Sequence, residues 1–112
     1  MKARAGRKAG QGSNWIRRAK RLAIYARDDH RCVYCGRDLS TEVATLDHVR
    51  PCELGGDNEA TNLVTACLSC NSAKRDLPLA EFLATLADRG VDTQTVAAAI
   101  RRQTRRVLRR AA

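Results

Sequence analysis

Two Cys-x-x-Cys pairs, Cys32/Cys35 and Cys67/Cys70, constrain this chain more than any other feature. Thiolates at that spacing can each wrap half of a tetrahedral Zn²⁺, and two pairs complete a four-sulfur site with no open coordination position. A zinc held in this way is structural. The chain has need of one, because its 112 residues include only Trp15, Tyr25, Tyr34 and Phe82 as aromatics. With the basic, Gly-rich ends set aside, roughly 80 residues remain for a core, a size at which a metal commonly supplements apolar burial.

The five cysteines are an odd number, no hydrophobic signal region follows Met1, and no apolar run approaches membrane-spanning length. The expected setting is therefore a reducing cytoplasm, bacterial or phage-infected, with no membrane partner and with thiols reserved for metal. Cys52, outside both pairs, reads as a small core filler.

The net charge of +9 is unevenly distributed. Residues 1–31 carry ten Lys/Arg against Asp28 and Asp29, and residues 101–110 carry six Arg and no acid. The segment between them has five basic and ten acidic residues. Two basic arms thus flank an acidic middle, a pattern suited to polyanion binding by the arms and cation binding at the centre.

Residues 1–12 lack apolar periodicity and are expected to form a disordered basic tail. A helix is expected within 13–29, capped by Ser13 or Asn14, with Trp15, Ile16, Ala19, Leu22, Ala23 and Ala26 on its apolar face and its Trp end on the core. Cys32 to Gly36 forms the first knuckle, with Gly36 at positive φ and Tyr34 covering the metal. Thr41 to Val49 favours a strand that carries Asp47 and His48 at its end and stops at Pro51. Strand neighbours point to opposite faces, so these two side chains can aim at one atom only if the strand ends or bulges there. Leu54 to Asn58 is a loop, and Ala60 to Val64 a short strand or turn. A helix opens at Ser69 and is interrupted at Pro78, and another runs from Leu79 to a stop at Gly90. Asp92 or Thr93 caps a last helix to about Arg110, with Val96, Ala97, Ile100, Thr104, Val107 and Leu108 on one arc and Arg101, Arg102, Arg105, Arg106, Arg109 and Arg110 opposite.

The stretches Cys32-Val33-Tyr34-Cys35-Gly36, Leu46-Asp47-His48-Val49-Arg50-Pro51, Gly55-Gly56-Asp57-Asn58, Asn62-Leu63-Val64 and Cys67-Leu68-Ser69-Cys70-Asn71-Ser72-Ala73-Lys74 together resemble an HNH endonuclease of the ββα-metal type. The resemblance covers residues 30–76. It implies an α+β fold with a small zinc-stapled ββα-metal core at 30–76; the flanking helices, within 13–29 and with an Arg-rich face over 77–112, are read from periodicity and are not covered by the resemblance. It further implies that His48 is the general base, that Asp47 and Asn71 bind a catalytic divalent cation, and that Asn62 fixes the loop beside the base. Many family members have His where this chain has Asn71, and an amide oxygen there favours Mg²⁺ or Mn²⁺ over Zn²⁺.

The chemistry is coherent on its own terms. Phosphodiester hydrolysis needs a deprotonated water and a charge sink beside the phosphate oxygens. A histidine ordinarily titrates near ~6.5 and can accept that proton at neutral pH. Arg50, Lys74 and Arg75 beside the site, together with the Arg-rich arc, are candidate contacts to the phosphate backbone of DNA. Low sequence specificity and nicking of one strand are expected, since no base-reading module is visible. Two other readings stay open: a non-catalytic zinc module that binds DNA, and a ribonuclease or toxin-like nuclease of the same fold. No residue identifies a protein partner.

Overall fold

The computed structural model describes residues 16–108. The expected basic tail at 1–12, Trp15, Arg109 and Arg110 lie outside that range. Among the described residues the order is helix α1 (Arg18–Arg27), strand β1 (Ala44–His48), strand β2 (Leu63–Cys67), then helices α2 (Leu68–Lys74), α3 (Leu79–Asp88) and α4 (Thr93–Arg105). The fold is α+β, a two-stranded antiparallel sheet with helices packed around it. None of these helices is long and apolar enough to cross a membrane.

The hairpin is the frame of the molecule. Its register runs unbroken from Ala44↔Cys67 to His48↔Leu63, so β1 carries no bulge and ends at His48. All five residues of β2 are buried. A strand covered on both faces needs apolar or internally satisfied side chains throughout, so the alternation that marks a half-exposed strand is missing. That is why a strand reaching Cys67 was not visible in the residues, which suggested only a short strand or turn over Ala60 to Val64; Ala60–Asn62 is in fact a 3-10 turn leading into β2.

Around the hairpin, Ile24, Leu63, Val64, Ala66 and Phe82 form a dry centre. Helix α1 buries Ala23, Ile24, Tyr25 and Arg27, with Ile16 buried just before it, while Ala19 and Ala26 stay exposed, so its inward face is rotated from the one expected through those two alanines. The cause is polar. Arg27 forms a two-bond ion pair with Asp28, and both side chains are 1% exposed. The guanidinium also donates to the carbonyls of Ala60 (2.8 Å) and Leu63 (2.6 Å), and Asp28 accepts the Thr65 N–H at 2.9 Å. A buried pair is tolerated only when its remaining hydrogen-bonding groups are met, and here they are.

Pro78 caps α3, and Gly90 follows the helix in the left-handed region at φ +87°. The carboxylate of Asp92 caps α4 by accepting the Gln94 and Thr95 N–H groups. The last helix is shorter than expected, ending at Arg105. Its buried side is Val96, Ile100 and Gln103, and Val107, placed on the apolar arc by the helical wheel, is 85% exposed.

Candidate active site and metal centre

The four thiols converge. Cys32 and Cys35 lie in the turn after α1, Cys67 ends β2, and Cys70 lies in the first turn of α2. Their sulfur atoms all fall within 4.8 Å of one another, and Cys35 Sγ is 3.9 Å from Cys67 Sγ. Zn–S bonds of about 2.3 Å in a tetrahedron place sulfurs about 3.8 Å apart, so the donor set suits zinc in both chemistry and size. Local backbone builds the cluster. Gly36 turns the first knuckle at φ +78°, the Val33 N–H donates to the Thr65 carbonyl of β2, and the Cys70 N–H donates to Cys67 Sγ at 3.3 Å. Burial pushes the Cys32 and Cys70 thiols up in pKa. At Cys67 burial acts in the same sense, but the hydrogen bonds from Cys70, Cys32 and Cys35 together outweigh it and bring that thiol down.

Tyr34, expected to cover the metal, is buried between the two cysteines of the first knuckle and reaches beyond them. Its ring stacks edge-on against Phe82 with centroids 5.0 Å apart, and its buried hydroxyl donates to Asp47 Oδ2. The same carboxylate oxygen is 3.4 Å from Lys74 Nζ. Burial raises the Asp47 pKa, opposed by the Tyr34 hydroxyl and the Lys74 ammonium.

Lys74 corrects an expectation. Its side chain is 0% exposed, and Nζ donates to the His48 carbonyl at 2.8 Å as well as facing Asp47. It is an internal cation joining α2 to the end of β1 and has no surface from which to meet a phosphate. Arg50 and Arg75 are exposed, the Arg50 Nε donating to the Leu54 carbonyl. On α4, Arg101, Arg102 and Arg105 are exposed. Arg106, just past it, is exposed but spends guanidinium hydrogen bonds on the Arg27 carbonyl and Gln103 Oε1.

Asn71 sits on α2 with its amide nitrogen donating to Thr45 Oγ1 (2.9 Å) and the Leu46 carbonyl (3.1 Å). Those bonds bring the amide within one residue of Asp47 along β1. Among the described residues, neither Asn71 Oδ1 nor Asp47 Oδ1 accepts a hydrogen bond, so each has an oxygen to offer. One carboxylate and one amide oxygen suit a hard cation but are too few to enclose it. Thr45 and Asp47 share the β1 face met by α2, while His48, half-exposed at the strand end, meets the loop after it: its Nε2 lies 2.8 Å from Asn58 Oδ1.

Asn62 stitches that loop shut. Its Oδ1 accepts the Arg50 N–H at 2.8 Å, and its Nδ2 donates to the carbonyls of Arg50 (3.1 Å) and Asp57 (2.8 Å). Gly56 is pinned in the same place, because a Cβ there would sit 1.7 Å from the Arg50 carbonyl oxygen. Sequence reasoning missed the Tyr34 to Asp47 link, the Asn58 contact and the Arg27–Asp28 pair. Only the last left a signal, two adjacent opposite charges at the end of an apolar helix.

The site thus combines an antiparallel hairpin, a four-thiol cluster and a helix that leans on the strand carrying Asp47 and His48. The HNH endonuclease family model matches residues 32–85, the segment that holds the four cysteines, Asp47, His48, Asn62 and Asn71. CRISPR-associated endonuclease Cas9 from Corynebacterium diphtheriae is 30% identical over 69 residues, covering 61% of this chain and 6% of that protein. Cas9 from Actinomyces naeslundii is 38% identical over 50 residues, covering 44% of this chain and 4% of that protein. The chain thus spans a small fraction of these relatives' length. The crystal structure of the Type II-C Cas9 enzyme from Actinomyces naeslundii shares the fold, with a TM-score of 0.58 and 22% identity over 88% of this chain and 14% of that one.

Proposed function

We propose that this chain is a metal-dependent DNA endonuclease that hydrolyses phosphodiester bonds one strand at a time with little sequence specificity. The observation that carries the reading is the gathering, at the point where β1 ends, of His48, of Asp47 beside it, and of Asn71, whose amide bonds the Leu46 carbonyl one residue from Asp47. His48 takes the proton of the attacking water. Asp47 and Asn71 would hold the cation, and Mg²⁺ or Mn²⁺ bound there would supply charge stabilisation to the phosphate and leaving oxygens. Asn62 keeps the loop beside His48 closed. Arg50 and Arg75, with Arg101, Arg102, Arg105 and Arg106, bind the phosphate backbone, and zinc on the four cysteines holds the knuckles together.

The engagement of Asp47 by Tyr34 and Lys74 favours a second reading, a zinc module that binds DNA without cutting it. Supercoiled plasmid and structured RNA, each incubated with the zinc-loaded protein in Mg²⁺, Mn²⁺ or EDTA, separate the possibilities. Nicked circles that form with either cation and vanish in EDTA are expected. Binding without nicking in any metal overturns the nuclease, and cleavage confined to RNA overturns the choice of substrate.

A further inference from the structure

Asn58 is exposed, in a loop whose turn chemistry would by itself explain an asparagine. Its surroundings do more than turn the chain. The carbonyl before it, on Asp57, accepts from Asn62 Nδ2 at 2.8 Å, and Asp57 Oδ1 accepts the Glu59 N–H at 3.1 Å. Its own carbonyl accepts from Lys20 Nζ at 2.5 Å, reaching across from α1, outside the segment matched by the family model. With its own carbonyl bonded and both chain neighbours held, Asn58 places Oδ1 2.8 Å from His48 Nε2.

We propose that Asn58 is a positioning residue that holds the imidazole of His48 as its Nε2–H tautomer, and that Lys20 holds Asn58. An amide oxygen can only accept, so the ring nitrogen against it must donate. A neutral imidazole has one N–H, and donation from Nε2 puts the lone pair on Nδ1. The nitrogen that receives the proton in hydrolysis is then Nδ1, and the ring cannot swing away without breaking the Asn58 bond. This rests on the nuclease reading for its kinetic consequence but not for the tautomer itself.

The test uses the full chain, zinc-loaded, with ¹⁵N-labelled histidine and no Mg²⁺, at a pH roughly two units above the ordinary imidazole value. Long-range ¹H–¹⁵N correlations report the tautomer, and His30→Gln separates the two histidines. The wild type is expected to show Nε2–H at His48, Asn58→Ala a mixture, and Asn58→Asp, which keeps the oxygen, the wild-type pattern. In plasmid nicking, Asn58→Ala is expected to lose about 10-fold or more in kcat with an unchanged KM for DNA, Asn58→Asp to recover most of it, and Lys20→Met to fall between. An Nδ1–H tautomer in the wild type, or a full kcat in Asn58→Ala, overturns the proposal. A wild type that shows the Nε2–H tautomer yet never nicks would refute the nuclease reading and leave the Asn58 contact standing.

Discussion

Replacing Tyr34 by Phe deletes one hydroxyl from the interior and leaves the ring edge-on against Phe82. The hydroxyl is the donor to Asp47 Oδ2, inside a pocket where Tyr34 and Asp47 are both 3% exposed. The carboxylate then keeps Lys74 as its protein partner on that oxygen, at 3.4 Å. A hydrogen bond to a charged group contributes about 1.5–3 kcal/mol. In a domain of this size, that corresponds to a fall in Tm of roughly 6–24 °C. Thermal melts of zinc-loaded wild type and Tyr34→Phe, followed by circular dichroism at neutral pH, read the difference, with zinc content measured on the same samples. One zinc per chain in both and a clearly lower Tm in the variant are expected. A melt unchanged within about 2 °C would refute the claim that the first knuckle stabilises Asp47 through this hydroxyl.

Arg27→Met strips the guanidinium from Asp28 and from the Ala60 and Leu63 carbonyls, and should cost about 3–5 kcal/mol in urea unfolding, the size seen when one partner of a buried pair is removed. A loss under 1 kcal/mol would show that the pair is not held in its interior network. Lys74→Met should destabilise the fold yet leave the salt dependence of DNA binding unchanged, whereas Ala at Arg101, Arg102 and Arg105 together should flatten the slope of log K against log salt by about 2–3 while sparing stability. The reverse pattern in filter binding would place Lys74 on the phosphate after all. Asp92 has a pKa lowered by the Thr95 hydroxyl and by the helix N–H groups it caps. Its contribution is therefore fully present above the unfolded value of 3.8 and is lost as pH falls through the lower folded value. Asp92→Asn should lower Tm at pH 7 and converge with wild type in acid, and a gap that widens on acidification would contradict this sign.

Features that depend on neighbours along the chain were legible in the residues. The cysteine spacing, the positive φ of Gly36, the strand ending at His48, the stop at Gly90 and the cap at Asp92 each follow from a few adjacent positions. Features set by distant partners were not. Lys74 looks like a solvated charge until β1 is laid against α2, where the His48 carbonyl and Asp47 draw its ammonium inward. Tyr34 reads as a residue of the zinc knuckle alone, and its bond to Asp47 exists only because the fold brings β1 beneath it. The helical wheel extends α4 through Val107 because it cannot know that Arg106 leaves the helix to bond the Arg27 carbonyl. At the site the candidate ligands and base were visible as letters, but the division of Asp47 and His48 between two faces of β1 required the register with β2.

In the proposed reaction His48 is the proton acceptor of metal-dependent strand scission. The most direct test of that role is the conversion of supercoiled plasmid to nicked circles by wild type and His48→Ala, at equal zinc content, equal Tm and equal DNA affinity, in Mg²⁺. The expected result is loss of at least about 100-fold in nicking rate with DNA binding intact. Nicking by His48→Ala at the wild-type rate would contradict it.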